Sequence, residues 1–127
     1  MKKITTVFAI ICFFGIQKAA ANDSYYSCYV RVVTLIEKGK CRGAISLADS
    51  CIRSGCHQPQ FSNVMGIATR RLTYSNDDTN NIKAVRFFSN AIAGDSSKSA
   101  YYNNRGWAYQ ELRKYDLAMA DYKSIVA

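Results

Sequence analysis

The chain has 127 residues, 17 basic against 9 acidic for a net charge of +8, and is 49% apolar with a single proline and five cysteines. That length admits one small domain, and the scarcity of proline leaves helices uninterrupted. The basic residues are spread out with no block of like charge, which argues against a nucleic-acid-binding arm.

The first stretch, "MKKITTVFAIICFFGIQKAAAND", sets Lys2 and Lys3 before an apolar run from Ile4 to Ile16, followed by the small residues Ala19, Ala20 and Ala21. This is the pattern of a secretory signal peptide, predicted over residues 1–21. The apolar run falls short of the roughly 20 residues that span a bilayer, and Lys18 blocks its extension, so no stable membrane insertion is expected after cleavage. Removal takes Lys2, Lys3 and Lys18 with it, leaving 14 basic residues against 9 acidic, a net charge of +5. The expected location is secreted or periplasmic. An exported, modestly basic protein rarely meets nucleic acid, so acidic proteins, acidic peptides or anionic surfaces are the better partners.

The segment from 22 to 127 repeats. "SNVMGIATRRL" aligns with "YNNRGWAYQEL", matching Asn63 with Asn103, Gly66 with Gly106, Ala68 with Ala108 and Leu72 with Leu112. Further on, Ala84 matches Ala118 and Phe88 matches Tyr122. A weaker first unit, "SCYVRVVTLIEKGKCRGAISLADSCI", sets Ala44 in the place of Ala84 and Ala118. The middle unit is longer by a polar run, "TYSNDDTNNIK", that reads as an extended turn. Each unit has the periodicity of an amphipathic helix pair, predicting repeats over 25–58, 59–98 and 99–127. In the last, Tyr102, Gly106 and Tyr109 share one face of the first helix. Leu117, Ala118, Asp121, Tyr122 and Ile125 form the inward stripe of the second, with Asp121 at the rim. Gly106 and Ala118 are small where two helices cross closely.

The last unit, with Gly106, Tyr109, Tyr115, Ala118 and Tyr122 at key spacings, resembles a tetratricopeptide repeat (TPR). It departs from that pattern at Arg105, usually apolar, and at Arg113, often glycine. The longer middle unit resembles the related SEL-like repeat. The resemblance implies an all-α fold, a solenoid of about three helical hairpins with the last one incomplete. It further implies a protein–protein interaction module or scaffold whose first helices line a concave groove for a peptide or partner helix. The ending is expected to mark a truncated member of a longer repeat protein, by gene disruption or as a fragment. The alternative is a protomer whose open end docks on another molecule.

The family's groove positions fall here on Asn63, Ile67, Arg70, Arg71, Asn103, Trp107, Gln110 and Glu111. The two asparagines suit an extended peptide backbone, the arginines suit carboxylates, and Trp107 suits an aromatic anchor. Against that stands an ordinary reading in which Arg70 and Arg71 form a solvated helix face and Trp107 a core residue.

Without the leader four cysteines remain, Cys28, Cys41, Cys51 and Cys56, an even number that suggests two disulfides in an exported chain. An antiparallel hairpin turning near Gly39 sets Cys28 beside Cys51 or Cys56. Cys41 to Cys51 lies about 15 Å apart on one helix, out of reach. Cys28 to Cys51 is favoured, with Cys41 to Cys56 as its partner if the second helix ends early or bends. Cys28 to Cys41 with Cys51 to Cys56 needs a distorted first helix, and a cysteine left free for another protein is the remaining option. "CIRSGCHQ" also resembles a lengthened haem-attachment motif, C-x4-C-H, with thioethers to Cys51 and Cys56 and iron bound by His57. The alternative function is therefore a small c-type haem electron carrier. As the only histidine, His57 would need Met65 or Met119 opposite it. No metal site is expected from the same residues, since a structural zinc needs four ligands. No nucleophile–base pair or phosphate loop stands out, and Asp77 and Asp78 read as turn residues, so the expectation is a protein with neither catalytic activity nor a cofactor.

Overall fold

A computed structural model describes residues 24–72 and 78–126. The predicted signal peptide and residues 73–77 of the polar run lie outside the described residues, while the later part of that run, read as an extended turn, is helical from Thr79 onward.

Helix α1 runs over 24–37, followed by α2 (Cys41–Arg53), α3 (Pro59–Arg71), α4 (Thr79–Gly94), α5 (Ser99–Glu111) and α6 (Tyr115–Val126). No strand occurs among the described residues. The helices pair as hairpins α1–α2, α3–α4 and α5–α6. From α2 onward each helix packs on the next, and α3 also touches α5. Contacts restricted to neighbours along the chain are the mark of a solenoid, so the structure is the all-α helical-hairpin solenoid expected from the repeats.

The punctuation is local. Pro59 opens α3, where its missing N–H costs no hydrogen bond. Before α5, the Asp95 carboxylate accepts from the Ser97 amide at 3.0 Å and its hydroxyl at 2.6 Å. These bonds hold the Asp95 carboxyl below the usual carboxylate range. Helix α1 ends at Gly39, whose φ of 72° lets the Lys40 N–H reach back to the Leu35 carbonyl at 2.8 Å. Arg113, five residues before Ala118 just as Gly39 is five before Ala44, ends α5 the same way. Its φ is 58°, and the Lys114 N–H reaches the Tyr109 carbonyl at 2.8 Å. The departure at Arg113 thus puts a bulky side chain where the closure favours glycine.

Packing explains the small residues. Ala44, Ala84 and Ala118 are all buried. A Cβ on Gly66 would stand 2.5 Å from the Phe88 ring, and one on Gly106 would stand 2.7 Å from the Tyr122 ring. In both later hairpins the first helix supplies a gap and the second an aromatic ring that fills it. The same register in the first hairpin holds Val32 and Ala48, both buried, so bulk and gap have changed sides. One core gathers Val32, Ile36, Ala44, Ala48, Phe61 and Val64, with Tyr25 and Tyr29 packed against it; both rings meet Phe61 edge-on, at 5.5 and 6.0 Å between centroids. Burial pushes the Tyr25 hydroxyl above its usual range. A second core holds Ala84, Phe88 and Ala108, and Ile67 packs against both.

Two expectations for α6 are corrected. Leu117 is exposed rather than inward, and Asp121 is buried at 4% exposure rather than at the rim. Arg105 grips Asp121 with two hydrogen bonds, Nε to Oδ2 at 2.9 Å and Nη2 to Oδ1 at 2.7 Å, which offset the cost of burying the carboxylate. Ala118 and Asp121 therefore turn toward α5, and the rotation carries Leu117 away from it.

Candidate functional site

Helices α3 and α5 are the first helices of adjacent hairpins, and their touching faces bring several groove candidates together. Near their middle the Asn104 side-chain amide donates to the Asn63 side-chain oxygen at 2.9 Å. Farther toward the helix C-termini, the Arg70 guanidinium carbon stands 3.9 Å from the centroid of the Trp107 ring. The indole N–H of Trp107 in turn donates to Glu111 Oε1 at 3.1 Å. Arg70 is half-buried, and its Nε finds no acceptor among the described residues. Burial, and then the neighbouring Arg71 charge, lower the Arg70 pKa against a partly offsetting pull from Glu111. A partly desolvated guanidinium stacked on an aromatic face is suited to a carboxylate.

The remaining candidates separate. Ile67 is half-buried between the two cores. Asn103 is exposed, whereas Asn63 is bonded to Asn104, so the two asparagines expected to serve a peptide backbone together differ in setting. Arg71 turns toward the first hairpin, donating to the Ile36 carbonyl at 3.2 Å, where it caps the end of α1. Gln110 accepts from the Tyr122 hydroxyl at 3.2 Å and so ties α5 to α6. Arg70, Trp107 and Glu111 therefore form one connected group, with Asn63 beside it on α3.

Cys28 on α1 is joined by a disulfide to Cys51 on α2, with 6.6 Å between their Cα atoms. The expected second bridge is not formed, since Cys41 and Cys56 are free thiols. The reason is α2 itself: its 13 residues run straight from Cys41 to Arg53. The two cysteines therefore lie at opposite ends of a rod of about 20 Å, far beyond disulfide reach. The haem reading is also corrected, because Cys51 has committed its sulfur to Cys28 and C-x4-C-H keeps only one thioether position.

No family model matches the chain, and no curated protein matches it. Solved structures do. The second TPR of Spaghetti (RPAP3), bound to the HSP90 peptide SRMEEVD, superposes with a TM-score of 0.73 at 20% identity, over 87% of this chain and 92% of that one. The chain has a TPR-like fold. The first TPR of Spaghetti, bound to the same peptide, gives 0.72 at 20% identity, over 82% and 78% of the two chains.

In this TPR-like frame the Arg105–Asp121 pair joins the two helices of the last hairpin, and Arg105 also donates to Ser89 of α4 at 3.0 Å. The hydrogen bonds to Asp121 hold the Arg105 pKa above its usual value. Sequence reading registered Arg105 only as a departure. Its signal was a pair of opposite charges at two positions expected to face the interior, one on each helix of the same hairpin.

Proposed function

We propose that this protein is an exported, TPR-like peptide-binding module whose groove along α3 and α5 receives an acidic peptide, with Arg70 on Trp107 as the carboxylate anchor. The single observation carrying the proposal is Arg70, half-buried on α3 with its guanidinium stacked on Trp107 of α5. The neighbours' bound peptide, SRMEEVD, has the acidic character this anchor suits, and the net positive charge of the chain favours the same class. Export is supported by the leader-like start and by a disulfide in the first hairpin. The role assigned is recognition rather than catalysis.

Trp107 is the only tryptophan of the chain, so its fluorescence reports on the site directly. Titration with SRMEEVD as the probe should give a saturable change in emission that weakens with added salt. Arg70→Gln should reduce the affinity about 10- to 100-fold, the worth of a charge-assisted hydrogen bond. Equal binding by the variant, or by a peptide with its carboxylates replaced by amides, would sink the proposal.

A further inference from the structure

Cys28, Cys51 and Cys56 gather where α1 begins and α2 ends. Beyond α2 the chain turns back at Gly55, φ 105°, so that the Gly55 N–H donates to the Ile52 carbonyl at 3.0 Å and the Cys56 N–H to the Cys51 carbonyl at 3.1 Å. The path between the two cysteine Cα atoms through that last bond is about 7 Å long. It is bent, so the Cα atoms lie within the roughly 4.4–6.8 Å that a disulfide spans. In this kind of helix closure the side chains at those two positions commonly pack together. Cys56 does pack on the core that contains Cys51.

Cys51 therefore stands between two sulfurs. One is Cys28, to which it is bonded, with 6.6 Å between the Cα atoms. The other is Cys56, a half-buried free thiol. Cys56 also acts on α1: after burial and Tyr29, its charge helps push the Tyr25 hydroxyl upward. Tyr25 precedes Cys28 by three residues and so shares its side of α1. Cys41, the other free thiol, is buried at the far end of α2 and takes no part. The C-x4-C spacing that resembled haem attachment thus has a different use.

We infer that Cys56 is an internal nucleophile that opens the staple of the first hairpin by thiol–disulfide exchange. The Cys56 thiolate attacks Cys51 Sγ, the Cys51–Cys56 bond forms as the Cys28–Cys51 bond breaks, and Cys28 leaves as a thiolate. Cys28 takes up a proton from solvent in place of the one Cys56 gave up, and neither oxidant nor reductant is consumed. In the open form α1 loses its covalent tie and is held by packing alone, Val32 and Ile36 in the core with Tyr25 and Tyr29 against Phe61. None of these groups belongs to the Arg70–Trp107 site, so the switch stands or falls independently of peptide binding.

Mapping the free thiol tests it on the purified full chain. Trypsin cuts after Arg31 and Arg53, which places the three cysteines in separate peptides. The protein is incubated at mildly alkaline pH, where thiolate is populated, then acid-quenched, alkylated with N-ethylmaleimide and digested. Two species should appear, Cys28–Cys51 with alkylated Cys56 and Cys51–Cys56 with alkylated Cys28, in proportions independent of protein concentration. Cys56→Ser should leave Cys28 unalkylated throughout. Cys28→Ser, oxidised with glutathione disulfide, should close Cys51–Cys56 while its circular dichroism matches the wild type. If that variant fails to fold, the wild-type map decides alone. Alkylation of Cys56 with none at Cys28 would overturn the inference, as would a Cys28–Cys56 bond in place of Cys51–Cys56. A yield that rises with protein concentration would overturn it too, by assigning the exchange to encounters between molecules.

Discussion

Arg113 shows how one backbone angle carries a cost that no contact reveals. At φ 58° a side chain crowds the following carbonyl, worth roughly 1–2 kcal/mol, whereas Gly39 meets the same turn without a Cβ. The Arg113 guanidinium reaches Asp78 only at 3.9 Å with both groups exposed. A contact of that kind contributes little. The backbone term therefore wins, though glycine also loses more freedom on folding. Arg113→Gly should raise stability by about 0.5–1 kcal/mol, read as a higher urea midpoint at unchanged slope. A lower midpoint would mean that the ion pair outweighs the strain. This position was legible in the sequence because a turn residue follows local register. The anchor was legible only in part, since Arg70 and Trp107 were named but their stacking across two helices was not. The bond from Asn104 to Asn63 was not legible at all, because equivalent repeat positions do not face each other between successive hairpins.

Among the elements, α6 is held by unusual means. Its packing against α5 combines Ala118 and the Tyr122–Gly106 contact with a buried charge pair in place of an apolar contact. Asp121→Asn leaves a guanidinium facing a neutral amide, and should cost about 1.5–3 kcal/mol in urea unfolding. Replacing both partners, Arg105→Met with Asp121→Leu, should recover most of that loss, because an apolar pair avoids desolvating two charges. If the double variant is no better than Asp121→Asn, the pair has a further role in orienting Ser89 and α4. Each helix of the hairpin is legible from its 3.6-residue period. The pairing of Arg105 with Asp121 depends on how far each helix rotates about its own axis, and a spacing rule does not set that rotation.

At the scale of the whole molecule, stability is distributed along a line. The two cores meet through Ile67, and the disulfide lies entirely in the first hairpin. Reduction should therefore act locally before it acts globally. Closing the loop from Cys28 to Cys51 is worth about 3 kcal/mol. After reduction, amide exchange should quicken first over residues 24–53, with α3 to α5 still protected. Uniform acceleration across all six helices would show instead that the hairpins unfold as a single unit.

The amino-acid sequence by itself determined the all-α class, the three hairpins and the small residues at the crossings, because all of these follow from local periodicity and from side-chain volume at fixed register. It also narrowed the bridge at Cys28 to Cys51, since an antiparallel hairpin sets the start of one helix beside the end of the next. Only the tertiary structure decided which candidates share a site, sending Arg71 to the end of α1 and Gln110 to α6 while stacking Arg70 on Trp107. It alone separated Cys41 from Cys56 and buried Asp121. These outcomes depend on helix length, rotation and crossing between elements, which are settled when surfaces are packed against one another.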